Sequence, residues 1–234
     1  MFRVKICGVT TPDDARIAAE AGADAIGLNF VPGSVRCLNP EAARSVAAAV
    51  PTGVLKVGVF AGAAPTEIRR IAAEVGLDAI QLHGHLEGSA GLVDPPATCA
   101  ALADTGMKLI RAVRLEADGL AAARRWLAAA EAAGARPALV IVDASTPRNA
   151  PGSALGGTGA KVDWAALARE APLGIPLVLA GGLDPDNVAE AIRATNPSGV
   201  DTASGVESSP GRKDPHKVRS FVAAARQALI AQPG

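Results

Sequence analysis

Residues 138–142 read Ala-Leu-Val-Ile-Val, and residues 177–180 read Leu-Val-Leu-Ala. Both runs are apolar throughout, without the alternation of polar and apolar residues that marks a strand with one solvated face. A strand covered on both faces has this composition, and such strands occur mainly in parallel sheets with helical connections. The first run ends at Asp143, a charged residue directly after five apolar ones. These stretches predict an α/β fold around a parallel sheet.

Similar short apolar runs recur along the whole chain, each followed by an alanine-rich segment with helical spacing. The predicted strands begin near Arg3, Asp24, Val54, Asp78, Lys108, Ala138, Pro176 and Gly199. A strand every 20 to 40 residues or so is what a strand-plus-crossover-helix unit requires. We therefore predict a single (β/α)8 TIM barrel domain over residues 1–234. A doubly wound open sheet is the competing fold, but no GxGxxG motif follows the first strand.

Helix boundaries are marked by capping residues. Thr11, Asn39 and Asp184 each stand before a proline and an acidic residue, a pattern typical of an N-cap followed by the first helical turn. Glycines that follow predicted helices are expected to be left-handed C-caps, and these are Gly22, Gly76 and Gly134.

Composition excludes several classes of protein. Lys and Arg together number 23, as do Asp and Glu, so the net charge is zero and no basic run predicts binding to nucleic acid or an anionic membrane. Three cysteines without CxxC spacing argue against a disulfide framework and a zinc ribbon. The chain shows no signal peptide and no apolar stretch of roughly 20 residues, so we expect a cytoplasmic protein. Monomer and homodimer both stay open.

Polar residues that end apolar strands are the candidates for chemistry, because barrels of this type carry their active sites at the C-terminal ends of the strands. In chain order these ends supply Cys7, Asn29, Arg36, Gln81, His83, Arg111, Arg114, Asp143 and Asp201.

Cys7 and Asp143 suit proton transfer. An unpaired cysteine is usually a small buried hydrophobe, but Cys7 stands at a strand end. As a base it would react as the thiolate, so we expect a positive charge or a dipole beside it. Burial of the Asp143 carboxyl would favour its protonated form and suit it to donate a proton.

Three other strand-end residues are predicted to bind substrate. Arg36, in a loop, can supply a bidentate clamp for a carboxylate. His83 is expected to be a hydrogen-bonding wall residue, and Asp201 a further contact. With three histidines in the chain and no carboxylate cluster beside them, we predict no metal ion.

Glycine-rich segments follow the last three predicted strands, and they are Gly156-Gly157-Thr158-Gly159, Gly181-Gly182 and Ser204-Gly205. Glycine lets a backbone approach an anion closely, and successive N–H groups can surround it. A single glycine pair is more often an ordinary turn. All three at the strand ends where barrels bind phosphate predict a small-molecule substrate with a phosphate group.

The sequence resembles the N-(5′-phosphoribosyl)anthranilate isomerase family almost from end to end. The resemblance rests on the order and spacing of Val4-Lys5-Ile6-Cys7-Gly8-Val9-Thr10, Gly22-Ala23-Asp24-Ala25-Ile26-Gly27, Ser34-Val35-Arg36, Val57-Gly58-Val59-Phe60, Gln81-Leu82-His83-Gly84, Gly156-Gly157-Thr158-Gly159, Gly181-Gly182-Leu183 and Ser204-Gly205-Val206-Glu207.

The resemblance implies an Amadori rearrangement of an aminoaldose, a step of tryptophan biosynthesis. It implies Asp143 as general acid, Cys7 as general base and Arg36 as the partner of the anthranilate carboxylate, with no metal and no organic cofactor. One alternative is a barrel that also isomerises the histidine-pathway aminoaldose, although that family has a carboxylate where Cys7 stands. The other is a catalytically inactive barrel that binds a phosphorylated ligand.

Overall fold

The protein is a closed barrel of eight parallel strands, in which β8 pairs back onto β1. The computed structural model describes residues 2–86, 92–144 and 164–232. Every strand begins at the predicted residue or one residue after it, which confirms the (β/α)8 barrel. The strands are β1 (Val4–Ile6), β2 (Ala25–Asn29), β3 (Leu55–Phe60), β4 (Ala79–Leu82), β5 (Lys108–Arg114), β6 (Leu139–Asp143), β7 (Leu177–Ala180) and β8 (Gly199–Thr202).

Helices alternate with these strands. They are α1 (Pro12–Glu20), α2 (Pro40–Ala48), α3 (Pro65–Val75), α4 (Pro96–Leu102), α5 (Ala121–Ala132), α6 (Trp164–Ala168), α7 (Val188–Thr195) and α8 (Pro215–Ile230). Between β8 and α8 lie a 3₁₀ turn, Ser204–Val206, and a two-stranded antiparallel sheet of β9 (Glu207–Ser209) and β10 (Arg212–Lys213). This insertion stands beside the C-terminal ends of β1 and β8.

Two of the three predicted N-caps are confirmed. The side chain of Thr11 accepts the N–H of Asp14, and that of Asn39 accepts the N–H of Ala42. The third prediction, a helix from Asp184, is wrong. The Asp184 carboxylate instead accepts the N–H groups of residues 186 and 187, so it stabilises a turn, and α7 begins at Val188. The predicted C-cap glycines all have positive φ, and they are Gly22, Gly76 and Gly134.

Strand residues alternate between two apolar layers. One face of the strands packs against the helices in a large buried cluster. The opposite face fills the barrel with a smaller cluster made up mainly of Ala25, Val57, Ala79, Ile110, Ala112, Leu139, Ile141, Val178 and Ala180. The apolar filling stops short of the C-terminal strand ends, where polar side chains take over and leave a pocket. No helix among the described residues is long and apolar enough to cross a membrane.

Candidate active site

One pocket at the C-terminal ends of the strands collects the predicted site residues. It is lined by Cys7, Arg36, His83, Asp143, Asp201, Gly181, Gly182, Ser204 and Gly205, together with other residues of the same loops. The remaining predicted site residues, Gly156, Gly157, Thr158 and Gly159, lie outside the described residues. Cys7 directly follows β1, and its N–H donates to the carbonyl oxygen of Thr202 on β8 at 2.7 Å. Asp143 is the last residue of β6, on another side of the pocket.

Arg36 is held by the loop after β8. Its Nε and Nη2 atoms donate to the two carboxylate oxygens of Glu207 at 2.7 and 2.6 Å. The Lys213 ammonium donates to the same carboxylate at 2.9 Å. Although burial disfavours the charge on Glu207, these two cations keep its carboxyl pKa below its usual value. Among the described residues, none accepts a hydrogen bond from Arg36 Nη1, so the end of the guanidinium is available to a ligand.

Gly8 leaves the space that the Arg36 side chain occupies. Gly8 has a φ of +67°, and a Cβ atom there would lie 2.3 Å from Cδ of Arg36. Any other residue at this position would have to adopt a strained left-handed backbone and displace the arginine.

Asp201 lines the pocket, but one of its oxygens is already engaged. Lys5 and Asp201 are register partners on β1 and β8, and Nζ of Lys5 donates to Oδ1 of Asp201 at 2.9 Å. The Lys5 side chain is fully buried. Burial alone would lower the pKa of Lys5, but Asp201 and Cys7 outweigh it and raise that pKa above its usual value. A buried positive charge therefore lies under the pocket floor.

His83 is a neutral hydrogen-bonding group. Nε2 of the Gln81 amide lies 3.2 Å from Nδ1 of His83. An amide nitrogen only donates, so this orientation makes Nδ1 the acceptor and leaves the ring hydrogen on the other nitrogen. Burial, which outweighs the attraction of Asp143, lowers the pKa of His83 to about 4. The imidazole is thus uncharged at neutral pH.

The loops after β7 and β8 approach each other closely. Gly181 and Gly182 both have positive φ, and neither backbone N–H donates to another residue within the described ranges. A Cβ atom on Gly205 would lie 1.9 Å from the carbonyl oxygen of Leu183, so only glycine fits between the two loops. Backbone N–H groups that have no partner among the described residues, in a loop this close to its neighbour, are suited to an anion.

Residues 4–224 match the family model described as N-(5′-phosphoribosyl)anthranilate (PRA) isomerase. The chain belongs to this family. It is 43% identical over 225 residues to the N-(5′-phosphoribosyl)anthranilate isomerase of Myxococcus xanthus, with 96% of each chain covered. The phosphoribosyl anthranilate isomerase structure from Thermotoga maritima superposes with a TM-score of 0.81 at 34% identity, covering 97% of this chain and 100% of that one.

A further structure of a phosphoribosyl anthranilate isomerase contains reduced 1-(o-carboxyphenylamino)-1-deoxyribulose 5-phosphate. It superposes with a TM-score of 0.77 at 33% identity, and the match covers 97% of this chain and 100% of that one. Membership of the family makes the chain an enzyme, an isomerase of tryptophan biosynthesis. No group of three or more His, Cys, Asp or Glu in the described part of this isomerase is placed to hold a metal ion.

Of the two arginines on β5 of the isomerase, Arg111 has a structural role and Arg114 lies near the site. Arg111 lies on the outer face of β5, where it is fully buried against Trp126 and donates to the carbonyl oxygens of Leu82 and Gly84. It does not line the pocket. Arg114 lines an adjoining pocket that shares its wall with the first.

Three charged residues at the site of this isomerase were missed by sequence reasoning as site residues: Lys5, Glu207 and Lys213. A signal for Lys5 was present, because residues two apart on a strand share a face and Lys5 stands two before Cys7. Glu207 is the last residue of Ser204-Gly205-Val206-Glu207, in which the glycine was the stronger signal. Lys213 carries no signal of this kind, since it lies in the insertion after β8 and not at the end of a barrel strand.

Proposed function

We propose that the enzyme converts N-(5′-phosphoribosyl)anthranilate to 1-(2-carboxyphenylamino)-1-deoxyribulose 5-phosphate, with Cys7 as general base and Asp143 as general acid. The observation that supports this most is that Cys7 and Asp143 line one pocket, on different strands, beside glycine-rich loops suited to phosphate. An acid and a base on separate sides of a bound sugar can act on different atoms of it in one reaction.

The rearrangement needs two proton transfers at the protein. Asp143 gives a proton to the furanose ring oxygen as the C1′–O bond breaks, and the nitrogen lone pair forms the C1′=N bond of a Schiff base. Cys7 as thiolate then removes the C2′ proton, and the electron pair moves through C1′ to the iminium nitrogen. The resulting enolamine tautomerises to the ketose. The iminium is itself the electron sink, so the proposal requires neither a metal nor an organic cofactor.

The substrate has an anionic group at each end, a carboxylate and a phosphate, and the pocket offers a binding group for each. The end of the Arg36 guanidinium left open by Glu207 would clamp the anthranilate carboxylate. Gly181, Gly182, Ser204 and Gly205 would hold the phosphate through backbone N–H groups, and we predict the same role for residues 156–159. The phosphate is remote from the reacting carbons, so its binding orients the sugar. His83 and Asp201 would contact the substrate between these ends.

Turnover of freshly generated phosphoribosylanthranilate, with EDTA present, tests the reaction through loss of substrate fluorescence. We expect Cys7→Ala and Asp143→Asn each to lower kcat by at least about 10²-fold while the reduced product analogue still binds. Cys37→Ala, at an exposed thiol that does not line the pocket, is the matched control and should turn over normally. Near-normal turnover by either site variant would remove its assigned role.

The same assay separates the alternatives. Arg36→Ala should raise KM more than it lowers kcat, because the carboxylate clamp is lost. An unchanged KM would assign the carboxylate to another residue. Turnover of the histidine-pathway aminoaldose as well would establish the dual-substrate alternative. Binding of the product analogue without any turnover would instead support an inactive barrel.

A further inference from the structure

Lys5 lies beneath Cys7, two residues further along the chain, in the interior of the barrel. Residues two apart in a strand point to the same side, so Lys5 and Cys7 both face inward from β1. The Lys5 side chain has no exposed surface, and its Nζ atom is 2.9 Å from Oδ1 of Asp201. A lysine is rarely buried to this degree unless its charge is paired. The Lys5 ammonium is therefore held at a fixed position in the barrel by its pairing with Asp201.

Gly27 shows how close Lys5 and Cys7 are. A Cβ atom built on Gly27 would lie 2.6 Å from Sγ of Cys7 and 3.2 Å from Nζ of Lys5. The sulfur and the ammonium thus pack against the same point of β2. A side chain here would push them apart, so the missing side chain of Gly27 keeps the thiol and the cation together.

Other charged groups around Cys7 are compensated or more remote. Arg36 lines the same pocket as Cys7, but it and Lys213 both donate to the Glu207 carboxylate. Asp201 neutralises part of the Lys5 charge, and it holds the ammonium in place.

Across the pocket from Cys7 are His83, which is neutral at physiological pH, and the carboxyl of Asp143. Lys5 is the cation whose ammonium packs with the sulfur against Gly27, and Cys7 is among the groups that raise its pKa.

We propose that Lys5 is a positioning residue whose ammonium group stabilises the thiolate form of Cys7, with Asp201 and Gly27 fixing the ammonium beside the sulfur. The inference deepens the proposed function, since it rests on Cys7 as the base. Lys5 transfers no proton itself: the C2′ proton goes to the sulfur, and the neutral thiol that forms no longer attracts the cation.

The test is the pH profile of Cys7 alkylation by iodoacetamide, read peptide by peptide with mass spectrometry so that Cys37 and Cys99 do not interfere. An opposite charge within about 4–6 Å shifts a titration by about 1–3 pH units. Lys5→Met should therefore move the midpoint upward and slow alkylation at pH 7 by about tenfold or more, with a parallel loss of kcat. Lys56→Met, on β3 in a pair with Asp78 and away from the pocket, is the matched control and should leave the profile unchanged.

A buried carboxylate left alone by Lys5→Met could prevent folding, so a second variant removes both charges. Lys5→Met/Asp201→Asn should show a smaller upward shift of the midpoint, because a distant negative charge is lost with the near positive one. An unchanged alkylation profile in folded Lys5→Met, or in the folded double variant, overturns the inference.

Failure of the proposed function looks different from failure of this inference. If Cys7→Ala turns over normally while Lys5→Met still moves the alkylation midpoint, Cys7 is not the base but the stabilisation of its thiolate stands. If Cys7→Ala is inactive and the alkylation profile of Lys5→Met matches that of the unchanged enzyme, the base stands and the role of Lys5 fails.

Discussion

Replacing Arg111 by methionine should destabilise the barrel without removing any group from the pocket. Nη1 of Arg111 donates to the carbonyl oxygen of Leu82 at 2.9 Å, and Nη2 donates to that of Gly84 at 2.7 Å. Nη1 also lies 3.5 Å from Oδ2 of Asp94, and the guanidinium lies 4.9 Å from the ring centre of Trp126. Burial lowers the pKa of Arg111 to about 10, so the side chain is still charged at neutral pH.

The expected loss follows from what the substitution leaves behind. Breaking a buried ion pair by removing one partner costs about 3–5 kcal/mol. Asp94 keeps hydrogen bonds from the N–H groups of Gly62 and Gly84 at 2.8 and 2.6 Å, and methionine retains apolar contact with Trp126. We therefore expect about 3 kcal/mol, near the lower end of that range. For a chain of this size each kcal/mol lowers Tm by about 2–4 °C, which gives a drop of roughly 6–12 °C.

Urea unfolding, monitored by tryptophan fluorescence, measures the loss in the free energy of unfolding. The Asp94→Asn variant and the Arg111→Met/Asp94→Asn double variant complete a double-mutant cycle. Because the two side chains form one network, we expect a coupling free energy of about 1–3 kcal/mol. Arg70→Met breaks an exposed pair with Glu74 and should change the free energy of unfolding by less than about 0.5 kcal/mol. A loss for Arg111→Met as small as that of the control, or strict additivity in the cycle, would refute the reasoning.

Two further predictions concern the pocket. The pKa of His83 is about 4 in the folded enzyme against 6.5 when unfolded, so below pH 6.5 the unfolded chain takes up the proton first. The free energy of unfolding should then fall between pH 6.5 and 4, by up to about 3 kcal/mol, and His83→Gln should flatten that slope in urea titrations; equal slopes would contradict it. Gly8→Ala should displace Arg36 and raise KM by about tenfold, at a cost in stability of about 1–2 kcal/mol. An unchanged KM in Gly8→Ala would show that the arginine does not need this space.

The barrel was predictable because its signals are local. An apolar run such as residues 138–142 identifies a doubly covered strand from its own composition, and Thr11 or Asn39 beside a proline identifies a helix start. The exception at Asp184 is also local in origin. Aspartate before proline favours a turn as well as a cap. Here the Asn187 side chain holds the turn, since its Oδ1 accepts the N–H of Asp184 and its Nδ2 donates to the carbonyl oxygen of Gly182.

The site was predictable residue by residue but not pair by pair. Cys7, Asp143 and Arg36 could be found because a polar residue that ends an apolar strand is unusual in the sequence. No short stretch of the sequence indicates that Arg36 pairs with Glu207, or that Lys5 pairs with Asp201. These pairs decide which atoms face a ligand and which are already engaged.

The missing pairs share a cause, which is the closure of the barrel. Lys5 and Asp201 are 196 residues apart, and Arg36 and Glu207 are 171 residues apart. In both cases β8 or its loop supplies the anion and the first two strand units supply the cation. Pairing of β8 with β1 therefore brings Lys5 to its counter-ion in the same step that closes the barrel around it, and without Asp201 the buried ammonium would be costly. The pairing of β8 with β1 that closes the barrel thus also places the Asp201 carboxylate beside Lys5, the cation next to Cys7.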